Sequence, residues 1–129
     1  MATINVTEAQ FPQTIEENDI VFVDFWADWC GPCKQFAPVY DAVSEQHQDV
    51  VFAKVDTEAE QRLAAAAGIT SIPTLMVFRE KVLVFSQAGA MNASQFGQLV
   101  EAVKGLDMKE VHAQVAAQQA EQAEQAGQA

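Results

Sequence analysis

Apolar and polar positions along the chain alternate with two different periods, and these divide it into short elements. Ile20-Val21-Phe22-Val23-Asp24-Phe25-Trp26-Ala27 is apolar throughout but for Asp24, a continuous run that predicts a strand buried on both faces. Val50 to Asp56 predicts the next strand, and Ile4-Asn5-Val6 a shorter one. Thr74–Arg79 and Val82–Ala88 stand too close together for anything but a hairpin. Cys33, Phe36, Ala37, Tyr40, Val43 and His47 instead recur at helical spacing, with Pro38 inside the pattern predicting a kink rather than an end.

Capping signals set the remaining boundaries. Thr7 with Gln10 predicts a helix running to about Asn18, irregular near Pro12. Thr57 with Glu60 predicts one running to Ala67 and stopped by Gly68, followed by a connection over Ile69–Ile72 that ends at Pro73. Asn92 with Gln95 opens a last helix carrying Phe96, Leu99, Val100 and Val103 on one face, and Gly105 breaks it. The order β-α-β-α-β-α-β-β-α implies an α/β fold. Its central sheet is mixed, a parallel core plus a C-terminal antiparallel hairpin, with helices on both faces. Beyond residues 1–106 the composition changes. Met108, Val111 and Val115 continue a weak stripe, but from Ala116 the chain is almost entirely Ala, Gln and Glu, which favour helix yet offer no apolar face to dock. Residues 107–129 are therefore expected to be a helical stub fraying into disorder.

Composition narrows the function. The 129 residues are half hydrophobic, enough for one domain with a proper core. A formal net charge of -11 argues against nucleic-acid backbones and anionic membrane surfaces as partners. The N-terminus lacks a basic and an apolar signal region, and no apolar run reaches the roughly 18–20 residues of a membrane span. The expectation is an intracellular, thiol-reducing setting, where a cysteine pair is catalytic or metal-binding rather than a staple.

The only two cysteines are Cys30 and Cys33, in Asp28-Trp29-Cys30-Gly31-Pro32-Cys33-Lys34, between the buried strand and the helix. A structural zinc site needs four ligands, and only His47 and His112 could add to the pair, far apart and without partners at ligand spacing. As a staple the pair would close too short a loop to constrain the unfolded chain. Redox chemistry fits better. At a helix start, Cys30 meets unpaired N–H groups and the positive end of the helix dipole, which stabilise the thiolate that attacks disulfides. Cys30 is then the exposed nucleophile, and Cys33, one turn in, the buried resolving thiol. Gly31 allows close approach of a substrate backbone, and Pro32 suits a first helical turn. Asp24 interrupts an otherwise apolar strand, so it should be buried with its pKa raised by desolvation.

Val23-Asp24-Phe25-Trp26-Ala27-Asp28-Trp29-Cys30-Gly31-Pro32-Cys33-Lys34 resembles the active-site segment of the thioredoxins. Ile72-Pro73-Thr74-Leu75 resembles the cis-proline loop of that family, and Ala53-Lys54-Val55-Asp56 and Ala88-Gly89-Ala90 match two further segments. A lone CxxC would be a weak signal; the whole set, spread from Ile4 to Gly105, is a strong one. The resemblance implies the thioredoxin fold and a cytoplasmic, monomeric protein-disulfide reductase. It implies that Asp24 takes the proton of Cys33, with Lys54 as its partner. It further implies a cis bond before Pro73 and a substrate-contacting rim of Trp29, Ile72 and Gly89, with Trp26 in the core. Disulfide-containing proteins would be the substrates, and a thioredoxin reductase would return electrons from NADPH. No cofactor or metal would be bound. His47 and His112 fall outside the resemblance and read as solvent-facing. Two features depart from the family: Arg79-Glu80-Lys81 lacks the glycine of a tight hairpin turn, and the tail has no counterpart. The rival readings are a binding or assembly module on this fold whose tail recruits a partner, and an oxidase or isomerase.

Overall fold

The computed structural model describes residues 2–127; Met1 and the last two residues of the tail, 128 and 129, lie outside them. The described elements are β1 (Thr3–Asn5), α1 (Phe11–Glu17), β2 (Ile20–Trp26), α2 (Gly31–Gln46), β3 (Val51–Asp56), α3 (Gln61–Ala66), β4 (Thr74–Arg79), β5 (Val82–Ala88), α4 (Ala93–Lys104) and α5 (Met108–Gly127). The strands form one sheet in the order β1-β3-β2-β4-β5. β1 and β2 pair parallel to β3, while β4 runs antiparallel to both β2 and β5. The mixed sheet with helices on both faces is the predicted architecture.

Alternation along β2 decides which helices cover which face. Ile20 and Phe22 join Phe52, Leu75 and Val77 under Phe36, Tyr40 and Val43 of α2 and Phe96, Val100 and Val103 of α4. Val21, Val23 and Phe25 point the other way, with Ala53, Val55 and Met76, towards Leu63 of α3 and Phe11 of α1. On the α2/α4 side the aromatic rings interlock. Phe22 stacks on Phe52 at 5.2 Å between centroids, and Phe96 meets Phe22 edge-on at 5.6 Å and Phe36 at 5.3 Å. Truncating any one of these rings to Ala would cost about 3–5 kcal/mol. Asp24 lies one strand repeat beyond Phe22 and so belongs to this same aromatic face.

Three predicted caps met different fates. Asn92 and Gln95 form the full reciprocal capping box of α4. Thr7 makes half of one, its N–H donating to Gln10 Oε1 at 3.1 Å, but α1 starts later, at Phe11, with Gln10 as N-cap. Pro12 falls at the first helical positions, where its missing N–H costs nothing, so it opens the helix rather than disturbing it. The Thr57–Glu60 box does not form. Thr57 donates through both its N–H and hydroxyl to the Trp26 carbonyl at 2.9 and 3.0 Å, and Glu60 accepts from the Glu8 N–H at 2.8 Å. Tertiary partners outcompeted the local cap. α2 continues through Pro38 to Gln46, and Gly68, at φ 72°, follows α3 as expected. His47 does not face solvent. It caps α2, half-buried, with the Lys104 ammonium donating to its Nδ1 at 2.8 Å and to Asp49 Oδ1 at 3.0 Å.

The hairpin closes tightly although its turn lacks glycine. Arg79 pairs with Val82, so the loop is the two residues Glu80 and Lys81, both left-handed at φ 51° and 70°. That is the primed geometry usually made with Asn-Gly, built here without glycine. The Glu80 N–H donates to the Asp19 carbonyl at 2.8 Å, and His112 Nε2 reaches the Glu80 carboxylate at 2.9 Å. These contacts and the β4–β5 ladder offset the backbone cost. Arg79 ties the same corner to α4, its Nη1 donating to the carbonyls of Val103, Leu106 and Lys104 at 2.7, 3.0 and 3.1 Å. Beyond that corner, α5 continues to Gly127, longer than a stub; among its described residues only Met108 is buried.

A left-handed residue other than glycine costs about 1–2 kcal/mol, partly offset on substitution by the greater unfolded freedom of glycine. Lys81→Gly should therefore stabilise the fold by about 0.5–1 kcal/mol in urea unfolding. Lys81→Val should destabilise it, because a β-branched side chain tolerates this backbone least.

Candidate active site

Pairing directions bring four loops to one end of the sheet. Trp26 at the end of β2 lies beside Asp56 at the end of the parallel β3. Phe25 opposes Thr74, the first residue of the antiparallel β4, and Thr74 opposes Ala88, the last residue of β5. The segments after β2, after β3, before β4 and after β5 therefore converge.

After β2 the chain turns through Asp28 and Trp29, with the Cys30 N–H bonded to the Ala27 carbonyl at 3.2 Å. Cys30 is the N-cap of α2, in extended conformation, and Gly31 and Pro32 open the helix. Cys30 Sγ takes the place of the usual capping oxygen, accepting the Cys33 N–H at 3.2 Å. The two sulfurs form a disulfide, with their Cα atoms 5.2 Å apart. Contrary to expectation, Cys30 is not exposed in this state: it is 4 % accessible and Cys33 3 %. Ala27 packs against both, and Trp26 and Ile72 close over the group. What separates the sulfurs is their surroundings rather than their exposure.

The Ile72–Pro73 peptide bond is cis, as the family segment implied. The Ile72 carbonyl oxygen stands 3.6 Å from Cys30 Sγ, and the Pro73 carbonyl accepts the Gly89 N–H at 2.8 Å. Gly89 has φ 108°, a conformation that side chains disfavour, so glycine is required where β5 leaves the sheet against this loop.

On the other side of the disulfide lies Asp24, 1 % accessible, with neither carboxylate oxygen hydrogen-bonded among the described residues. It opens on a cavity of about 90 Å³ walled by Trp26, Cys33, Lys34, Ala37 and Lys54. That is room for water to link the Asp24 carboxyl to Cys33. Burial pushes the Asp24 pKa from 3.8 to about 7, and the positive charge of Lys54, its cross-strand neighbour, acts in the opposite direction. Lys54 is half-buried on an interior strand, its ammonium 5.1 Å from the centre of the Trp26 ring. Trp26, expected in the core, is thus a half-buried wall of this cavity. Trp29 is 69 % exposed at the mouth, and its indole N–H donates to Glu58 Oε1 at 2.6 Å. Glu58 carried no signal in the sequence; only the parallel β2–β3 pairing brings the turn after β3 beside Trp29. Among the described residues no group of three or more His, Cys, Asp or Glu could hold a metal ion, and no helix is long and apolar enough to cross a membrane.

A redox-active cysteine pair at a strand-to-helix junction, faced by a cis-proline loop and backed by a buried carboxylate, defines a protein-disulfide oxidoreductase working by dithiol–disulfide exchange. The Thioredoxin family model matches residues 2–102. The putative thioredoxin 2 of Streptomyces coelicolor is 52% identical over 119 residues, covering 92% of this chain and 89% of that one. The thioredoxin of Porphyra purpurea is 43% identical over 96 residues, 73% of this chain and 90% of that one. The solved structure of Plasmodium falciparum thioredoxin matches with a TM-score of 0.71 at 39% identity, covering 78% of this chain and 97% of that one. The chain belongs to the thioredoxin family. The Streptomyces match is longer than residues 1–106, so that relative also shares part of the tail.

The raised pKa makes Asp24 a pH-dependent liability to the fold. Its contribution to stability is fully present below about pH 4, where the carboxyl is protonated in folded and unfolded chains alike. It is lost as pH rises towards 7, because the unfolded carboxyl ionises first. Three pKa units correspond to about 4 kcal/mol. Asp24→Asn should remove that decline, so unfolding free energies of variant and native protein diverge between about pH 4 and 7 in the variant's favour.

Proposed function

We propose that the protein is a protein-disulfide reductase in which Cys30 attacks and Cys33 resolves. The carrying observation is the asymmetry of the two sulfurs: Cys33 borders the Asp24 cavity, whereas Cys30 Sγ caps the helix beside the Ile72 carbonyl. In the reduced protein the Cys30 thiolate attacks one sulfur of a substrate disulfide, forming a mixed disulfide and releasing the other as a thiolate. Asp24, ionised, takes the proton of Cys33 through water in the cavity. The Cys33 thiolate then attacks Cys30 Sγ, re-forming Cys30–Cys33 and releasing the second substrate thiolate. Two electrons pass to the substrate, which takes up two protons.

The supporting roles follow from position. Lys54 limits how far burial raises the Asp24 pKa. Pro32 starts the helix without wasting an N–H, and open space where a Gly31 Cβ would stand leaves the approach to Cys30 clear. Pro73 presents the Ile72 backbone to an extended substrate segment, as in strand addition, and Trp29, Ile72 and Gly89 form the contacting rim. A thioredoxin reductase drawing on NADPH regenerates the dithiol, and the protein carries no cofactor of its own. Its setting is the cytoplasm and it acts as a monomer. Residues 1–106 form the redox domain, and 107–129 are an appendage outside the chemistry.

Cys33→Ser should arrest the reaction at the first step and accumulate substrates disulfide-linked to Cys30, seen as reducible high-mass species. Cys30→Ser should trap none. The native protein should accelerate insulin reduction by dithiothreitol, and its failure to do so would favour the binding-module reading. Asp24→Asn should slow release of the mixed disulfide and remove the inflection near pH 7 from its rate profile. A strongly oxidising reduction potential would replace the reductase with an oxidase.

A further inference from the structure

Beside the disulfide, a groove of about 360 Å³ runs between α3 and the cis-proline loop. Ala64, Ile69 and Ile72 line it with apolar surface, Thr57, Thr70 and Ser71 add hydroxyls, and Trp29, the neighbour of Cys30 in sequence, completes the lining. None of the described lining residues is charged, yet a fixed charge stands beside Trp29. The indole N–H of Trp29 donates to Glu58 Oε1 at 2.6 Å, while the Glu58 N–H is held by Asp56 Oδ1 at 2.9 Å. Both the main chain and the carboxylate of Glu58 are thereby oriented, on a residue that is itself exposed.

The cations of this region do not neutralise it. Lys34 and Lys54 line the cavity on the Cys33 side, and Arg62 reaches towards Glu8 at 3.5 Å. An apolar trough ending in a pre-oriented carboxylate matches a side chain with an aliphatic stem and a cationic head. We infer that the groove selects disulfide substrates carrying an arginine or lysine two residues from the attacked half-cystine, with the stem in the groove and the cation on Glu58. In an extended segment that spacing puts the side chain on the same face as the sulfur aimed at Cys30. The inference rests on Cys30 as the attacking sulfur and adds the substrate class that the site prefers. It also makes use of the chain's charge of -11, which attracts such segments from a distance.

The test uses the reduced full-length protein and a set of disulfide-linked peptides, identical except for Arg, Glu or Met two residues before or after the half-cystine. Second-order rates at low salt should favour Arg over Glu by about three- to fivefold on one side of the half-cystine, with Met between them. The ratio should shrink towards one in about 1 M salt, where the screening length is about 3 Å. Glu58→Gln keeps an oxygen for the Trp29 N–H but loses the charge, and should bring the ratio to one. Asp28→Asn removes a charge from the same end of the molecule but outside the groove, and should preserve it. Equal rates for Arg and Glu in the native protein would overturn the inference. So would a ratio that survives in Glu58→Gln, or one that Asp28→Asn abolishes as completely, since the preference would then be a property of net charge. No reaction with any peptide would instead remove Cys30 as the nucleophile, and this selection with it.

Discussion

A carboxyl group buried in a sheet, with no hydrogen-bond partner among the described residues, is the constraint around which this molecule is arranged. Asp24 occupies a position where its strand neighbour Phe22 contributes to an interlocked aromatic core, so the fold has no reason of packing to place a carboxyl there. Desolvation is tolerated because the group takes up a proton near neutrality, and because Lys54 on the adjacent strand limits the shift. The same feature that weakens the fold at higher pH supplies an acid–base group next to Cys33. Stability and chemistry are thus set against each other at a single side chain.

The parts of this arrangement that are local in sequence were legible there. The unbroken apolar run of β2, the alternating faces of the core and the cysteine pair ahead of a helix all follow from spacing and residue type. The Asn92–Gln95 box formed between two exposed residues that bond each other reciprocally. The Thr57–Glu60 box failed because the Trp26 carbonyl and the Glu8 N–H, brought near by β2–β3 pairing, took its members. The same kind of long-range contact hid Glu58, drew His47 onto Lys104, and covered Cys30 with Ile72. The hairpin was legible, but the form of its turn was not, for a different reason. Residue preference weighs against left-handed Glu80 and Lys81, but the β4–β5 ladder and the Asp19 carbonyl outweigh it.

Sheet order explains why the redox pair works with segments so distant in sequence. The chain leaves β2 at the end where the antiparallel β4 begins and the parallel β3 finishes. From β4 this delivers the Ile72 carbonyl to Cys30 on one side; from β3 it delivers Glu58 to Trp29. Asp24, two residues inside the end of β2, reaches the cavity behind Cys33 from within the sheet. A sheet with β4 parallel to β2 would send the proline loop to the opposite end and leave the disulfide without a docking edge.

The two cysteines therefore differ by what each can exchange with its surroundings. Both are covered in the disulfide, so accessibility cannot assign their roles. Cys30 sits between a helix N-terminus and a backbone carbonyl, groups that hold charge and an incoming chain but cannot accept a proton from a thiol at neutral pH. Cys33 shares its cavity with a carboxyl that can. In the proposed reaction, attack on a substrate uses the first environment and release of the substrate uses the second. Exchanging the two would place the proton acceptor behind the sulfur that is already bonded to substrate, where it has no proton to take.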